Sequence, residues 1–296
     1  MIRAVSIVFS FLLVLLLAPF KSYSAERNFT EIGTQAKVSA LAYLNSESLE
    51  VSFNSAKLAK QQKLVHQSII TQSQVRYFLA EINGVQTIVI RGTANEANVM
   101  LDLDVNLKPD AHLQIKLHQG FSSGAKAIFD EITPYLKADQ PIHLTGHSLG
   151  GAIAVVLGMY LEKNDFNVSQ IITFGQPKVT NVAGAERFSH LPLIRIVTPE
   201  DIVPLVPPIS PLQIRDLDIY WHMGVEVILD GDGKYSEVSG VKSALRATKF
   251  TSSVPGEKNL QAHMMTTYIN LIEQLKNSAQ EIPYETGISL FGLSIN

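Results

Sequence analysis

The residues best suited to chemistry lie in Ile142–Glu162, I-H-L-T-G-H-S-L-G-G-A-I-A-V-V-L-G-M-Y-L-E. Ser148 stands there in Gly146-His147-Ser148-Leu149-Gly150, a match to G-x-S-x-G. Ile142–Thr145 reads as a buried strand, and Ala152–Leu161, apolar nearly all round, as a buried helix. A strand that turns at once into a helix puts the residue between them on a tight, strained corner. Glycines two before and two after let neighbouring backbone pass without a Cβ in the way. The serine hydroxyl is then held out at the corner, with a helix N-terminus behind it that favours developing negative charge. The pentapeptide alone arises readily by chance; its strand–turn–helix setting points to a nucleophile. An unaided serine is a weak one, so a base and an acid must follow.

In such a site the chain order is serine, then Asp or Glu, then histidine. Asp201 directly follows the buried run Leu193–Val197 and is held between Pro199 and Pro204. That rigidity suits a carboxylate that orients a histidine tautomer. Asp165 follows a helix, Asp216 and Asp218 sit in a less defined stretch, and Glu200 should point away from its neighbour. Of the eight histidines only His222 and His263 come after Asp201. His222 falls in the middle of a long predicted strand, Ile219–Leu229, a place for packing or a buried hydrogen bond. His263 opens a predicted last helix, Asn259–Leu275, after a polar loop, and from there a side chain can reach back to the site. The expected base is therefore His263. His147 should point away from the serine hydroxyl, and His66, His112, His118, His143 and His190 read as core or surface histidines.

Acyl transfer also needs donors for an oxyanion. One is the N–H after the nucleophile, here Leu149; the other comes from the loop after an early strand. Val85–Arg91, apolar and β-branched, is that strand, and it exits through Arg91-Gly92-Thr93. Thr93 N–H is the second candidate donor.

These residues require a scaffold that brings strand ends together. Asn83-Gly84 signals a hairpin between Val75–Ile82 and Val85–Arg91. Gly33–Asn45, part of Ser48–Leu64, and Gly124–Lys137 read as helices, and Gln170–Phe174 as a further buried strand. Strands alternating with helices imply a mainly parallel sheet wrapped by helices, a three-layer α/β fold. Asn95–Leu107 combines a short apolar-faced helix with strict alternation from Leu101; it reads either as a lid or as a helix packed on the core. Asp230-Gly231-Asp232-Gly233 lacks the ligand spacing of a calcium loop and reads as a hairpin turn.

The chain has 296 residues, is 46% apolar and carries a formal charge of −3. That suffices for one sizeable domain, with no long basic run to attract nucleic acid. There is no cysteine, which rules out disulfides, a thiol nucleophile and thiolate metal sites. Arg3, the apolar run Ala4–Phe20 and the small residues of Ser22-Tyr23-Ser24 read as a signal peptide over residues 1–24, removed on export to the periplasm or the exterior. Residues 25–296 form the expected single domain. Asn28-Phe29-Thr30 and Asn167-Val168-Ser169 are glycosylation sequons, relevant only on a eukaryotic secretory route.

From about Val75 to Tyr268 the chain resembles the class 3, or fungal-type, lipases of the α/β-hydrolase superfamily. The resemblance rests on six ordered motifs and a final histidine. These are Arg91-Gly92-Thr93, His118-Gln119-Gly120-Phe121, Thr145–Gly151, Phe174-Gly175-Gln176-Pro177-Lys178-Val179, Asp201-Ile202-Val203-Pro204 and Trp221-His222-Met223-Gly224-Val225-Glu226, then His263 with Tyr268. It implies hydrolysis of lipid esters through Ser148, Asp201 and His263, with Thr93 and Leu149 as oxyanion hole and no metal or organic cofactor. The open alternatives are a phospholipase, peptidase or acyltransferase on the same scaffold, or a silent lipid- or protein-binding module.

Overall fold

The central sheet is built from runs of aliphatic residues that face a helix layer on each side. The computed structural model describes residues 27–55, 62–71, 74–92, 106–208, 211–216, 218–247, 256–285, 289–290 and 293–294. The signal-peptide expectation, Thr93 and nearly all of Asn95–Leu107 lie outside these residues.

Two helices open the described chain, α1 (Phe29–Leu41) and α2 (Ser46–Asn54). Three antiparallel strands follow: β1 (Gln62–Ile70), β2 (Val75–Ile82) and β3 (Val85–Ile90). Next come β4 (Leu107–Asp110), β5 (Ile115–His118), α3 (Gln119–Ile132), β6 (Ile142–His147), α4 (Leu149–Lys163) and β7 (Val168–Phe174). The chain continues through β8 (Thr180–Asn181), α5 (Val182–Arg187), β9 (Leu193–Val197), α6 (Pro211–Asp216), β10 (Tyr220–Trp221), β11 (Val225–Gly231) and β12 (Lys234–Val238). It closes with α7 (Gly240–Ala247), α8 (Glu257–His263), α9 (Met265–Ser278), β13 (Gln280–Glu281) and the small pair β14 (Ser289–Leu290) and β15 (Leu293–Ser294).

The main sheet runs β1-β2-β3-β6-β7-β9-β11-β12-β13. From β3 to β11 every neighbouring pair is parallel. A second antiparallel sheet, β10-β8-β5-β4, lies apart from it. Strand alternation divides the core between two faces. Ile171 packs with Phe121, Ile128 and Ile153 of α3 and α4. Its neighbours Ile172 and Phe174 pack with Phe29 and Ile32 of α1 and Tyr268 and Ile272 of α9. Gly150–Leu161 of α4 is buried at every position, which explains why it is apolar all round.

Boundaries differ from the sequence-based expectation at several places: α3, for one, runs Gln119–Ile132 rather than Gly124–Lys137. α1 begins at Phe29 rather than Gly33, because Asn28 caps it by accepting from Glu31 N–H at 3.0 Å. The run Ile219–Leu229 is not one strand: β10 joins the second sheet, and Gly224, at φ +70°, turns the chain back into the first. His222 therefore lies in the break and not in mid-strand. The helix expected over Asn259–Leu275 is two helices, α8 and α9, parted at Met264, whose backbone is extended (φ −67°, ψ 137°). His263 thus closes one helix rather than opening the last. The Asp230–Gly233 turn joins β11 to β12 as expected, with Asp230 Oδ2 accepting from Ser236 Oγ at 2.8 Å.

Candidate active site

Parallel strands all end on one edge of the sheet, and β6, β7 and β9 deliver the site residues there. Ser148 is the single residue between β6 and α4, at φ 57° and ψ −130°. That is a strained conformation for a residue with a Cβ, held because its surroundings over-determine it. Its N–H donates to Phe174 O of β7 at 2.8 Å, and its carbonyl accepts from Gly151 N–H and Ala152 N–H at 3.0 and 3.2 Å. A Cβ on Gly150 would lie 2.2 Å from Ile90 O, so the elbow closes against β3 only with glycine there. Leu149 is the first residue of α4. Its N–H has no acceptor within the helix and is available at the positive end of the helix dipole.

Asp201 and His263 meet in the structure. His263 Nδ1–H donates to Asp201 Oδ2 at 2.8 Å, and both residues are wholly buried, as is Ser148. Tyr268 Oη also donates to Asp201 Oδ2, and Val203 N–H donates to Asp201 Oδ1 at 2.9 Å. Burial alone would push the Asp201 carboxyl up. The His263 charge and the hydrogen bonds from His263, Tyr268 and Val203 outweigh that and hold it below its ordinary value. Burial, and then the charge of Asp201, push the Tyr268 phenol well above its ordinary value, so it remains a donor.

Gly175 links the pair to the elbow. It follows Phe174, which holds Ser148 N–H, and sits at φ +59°. A Cβ there would lie 2.8 Å from Asp201 Oδ2 and from Nδ1 and Cε1 of His263. On the other side, a Cβ on Gly92 would lie 3.1 Å from Ser148 Cβ. The chain leading to Thr93 therefore passes directly against the serine. Ser148 Oγ has no hydrogen-bond partner among the described residues.

Two anchors fix the acid loop. Arg246, paired with Glu226 at 2.8 Å, donates to Thr198 O at 2.9 Å. Lys178 Nζ donates to Leu205 O and to Pro207 O at 2.9 Å. Burial depresses the Lys178 ammonium to about 7. The rival histidine is committed elsewhere: His222 Nε2–H donates to Pro204 O at 2.7 Å, and burial followed by the charges of Arg195 and Lys178 keeps it neutral. Glu200 turns outward to Lys258 at 2.9 Å.

Sequence reasoning missed the parts of Gly175, Tyr268 and His147. Gly175 and Tyr268 stand inside motifs but gave no sign of their roles. His147 Nε2 meets His263 O at 2.7 Å and its Nδ1 meets Tyr43 Oη at 2.7 Å.

Residues 87–210 match the model of the class 3 lipase family. A lipase of Rhizopus niveus is 32% identical over 136 residues, covering 42% of this chain and 35% of that protein. A secreted mono- and diacylglycerol lipase of Fusarium solani is 28% identical over 204 residues, covering 62% of this chain and 58% of that protein. The chain thus spans about a third of the length of the first of these relatives and somewhat over half of the second. The crystal structure of a lipase from Rhizopus microsporus var. chinensis superposes with a TM-score of 0.58 at 27% identity, covering 69% of this chain and 75% of that one.

Proposed function

We propose that this chain, which belongs to the class 3 lipase family through its residues 87–210, is a serine carboxylic-ester hydrolase acting on lipid esters. One observation carries the proposal: the wholly buried His263–Asp201 hydrogen bond at the sheet edge where the elbow holds Ser148. The family match and the names of the lipase relatives support lipid esters as the substrate class.

In this proposal His263 Nε2 takes the proton of Ser148 Oγ as that oxygen attacks the ester carbonyl. Asp201 stays ionised and stabilises the imidazolium through Nδ1–H. The tetrahedral oxyanion is received by Leu149 N–H and Thr93 N–H, worth about 3–4 kcal/mol per donor in a water-excluded site. His263 returns the proton to the departing alcohol and leaves an acyl-Ser148 ester. Water attacks that ester with His263 again as base, the carboxylic acid is released, and free Ser148 is regenerated.

The test is fluorophosphonate labelling together with turnover of short and long p-nitrophenyl esters, emulsified triglyceride and phospholipid. A silent binding module would not label. Ser148→Ala should lose labelling and about 10⁶-fold in turnover with its fold intact. A purified variant that kept substantial activity would reject Ser148 as nucleophile. The phospholipid arm separates triacylglycerol lipase from phospholipase, and an added alcohol acceptor separates hydrolysis from acyl transfer. We further propose export with loss of residues 1–24, consistent with the secreted Fusarium relative. N-terminal sequencing of exported protein should begin at Ala25, and a sequence beginning at Met1 would refute cleavage.

A further inference from the structure

His147, the second residue of Gly146-His147-Ser148-Leu149-Gly150, ends β6 and is wholly buried. Both its ring nitrogens are engaged. A carbonyl oxygen only accepts, so the 2.7 Å contact to His263 O requires Nε2 to carry a proton. In a neutral ring Nδ1 is then an acceptor, and Tyr43 Oη donates to it at 2.7 Å. Burial, and then the charge of His263, push this imidazole down to about 3, so the ring is neutral and its tautomer is set.

The carbonyl that His147 holds belongs to the proposed base. His263 is the last residue of α8, and the chain breaks at Met264. Thr267 N–H, which would serve His263 O in a continuous helix, instead donates to Met264 O at 2.9 Å. His147 donates in its place. The two imidazoles also pack, with centroids 4.5 Å apart at 36°. His263 is thus located by Asp201 at Nδ1, by the His147 ring alongside, and by His147 Nε2–H at its own carbonyl.

Tyr43 follows α1 and lies outside the family-matched residues 87–210. Its hydroxyl reaches two parts of the site, His147 Nδ1 and Gly92, where a Cβ would lie 2.5 Å from Tyr43 Oη. We propose that His147 is a positioning residue: Tyr43 fixes its tautomer, and its Nε2–H clamps the His263 main chain so that the base imidazole is held for proton transfer. In this proposal both side chains act through His263. The inference rests on the reading of His263 as base.

The test measures kcat and KM on p-nitrophenyl butyrate, per active site titrated with fluorophosphonate, for His147→Leu, His147→Gln, His147→Asn and Tyr43→Phe. The Gln amide nitrogen reaches the place of Nε2, whereas that of Asn falls short. His147→Leu and His147→Asn should lower kcat about 10²-fold with KM within about twofold, the loss expected of a base displaced by about 1 Å. His147→Gln should recover to within about tenfold of the parent, and Tyr43→Phe should fall about three- to tenfold. Full kcat per titrated site in His147→Leu, however unstable the protein, would overturn the clamp, as would Gln no better than Asn. If the Leu variant does not fold, Tyr43→Phe removes a single oxygen and decides alone: unchanged kcat overturns the relay. His263→Ala, run in parallel, separates the two readings. Activity surviving that change refutes the base; loss there with unaltered His147 variants refutes only the clamp.

Discussion

Gly175→Ala offers the sharpest test of the site geometry, because the structure supplies its own control. Gly175 sits at φ +59°, where an alanine pays about 1–2 kcal/mol in backbone strain. Its added Cβ would meet Asp201 Oδ2, His263 Nδ1 and His263 Cε1, each at 2.8 Å. Ordinary carbon contacts begin near 3.5 Å, so the acid, the imidazole or the strand end must shift by about 0.7 Å. Neither partner is the loose end of a flexible chain, as both are wholly buried. Overpacking of this kind costs about 1–3 kcal/mol, for a total of about 2–5 kcal/mol with the strain. A displacement approaching 1 Å at the base costs about 10²-fold in turnover. Gly231, at φ +88°, has nothing within 4 Å of its would-be Cβ. Gly231→Ala therefore carries the strain without the clash. Turnover per titrated site and urea unfolding, measured on both variants, should show a modest stability loss in Gly231→Ala at full kcat. Gly175→Ala should show the larger stability loss and the turnover loss together. Equal kcat in the two variants would refute the argument that Gly175 is glycine to admit the Asp201–His263 pair.

The remaining expectations concern the other parts of the site. Thr93→Pro removes the proposed second oxyanion N–H and should leave a folded protein nearly inactive, whereas Thr93→Ala should cost about 10²–10³-fold only if the hydroxyl also donates; an active Pro variant places the donor elsewhere. His263→Ala should abolish turnover with little change in melting temperature, while His222→Ala, losing its bond to Pro204 O, should cost about 1–3 kcal/mol of stability with kcat per folded molecule retained; the reverse pattern would exchange the assignments. His147 is depressed from 6.5 to about 3 on folding, so between these values the unfolded chain binds the extra proton and stability falls as pH falls, by about 2 kcal/mol at pH 5. Urea unfolding at pH 7.5 and pH 5 should show that additional loss in the parent and not in His147→Gln, and parallel losses would show that His147 is not held neutral.

What could be read in the sequence was what local pattern and chain order carry. Ser148 announced itself through two glycines between an apolar strand and an apolar helix. Asp201 and His263 were reached as candidates from chain order, His263 on the expectation that it opens the last helix, whereas it closes α8. The parts that escaped are contacts between distant segments. Tyr43 meets His147 across 104 residues, and Tyr268 meets Asp201 across 67. No periodicity records such pairings. Two of the errors in element boundaries have the same origin. Leu260 to Ile272 keeps a helical apolar spacing with no Gly or Pro, yet the helix breaks at Met264, where His147 takes the His263 carbonyl. The run Ile219–Leu229 is rich in β-forming residues on both sides of Gly224, but a Cβ on Gly224 would lie 2.5 Å from Leu193 O, and the chain turns there to join β9. Tertiary contacts overrode local preference at both places.

Wholly burying an aspartate, a histidine and a serine is costly unless the groups around them are fixed in advance. Thr198 shows how this chain does so. Its carbonyl accepts from Asp201 N–H at 3.3 Å and from Arg246 at 2.9 Å, and its hydroxyl donates to Ala262 O at 3.1 Å. Acid and base are therefore tied through one residue, three before Asp201, to the position just before His263. Arg246 in turn depends on Glu226, which also accepts from Ser243, which accepts from Arg195. None of these hydrogen bonds involves Ser148. They keep two loops in register so that the 2.8 Å bond between Asp201 and His263 is already made before an ester arrives. An acid–imidazole bond already formed in the resting protein needs no reorganisation during reaction, which is the condition under which buried dipoles lower a barrier most. The charged groups behind the site thus act by removing freedom from the loops, and the proposed contacts to substrate are left to Ser148, His263 and the oxyanion donors.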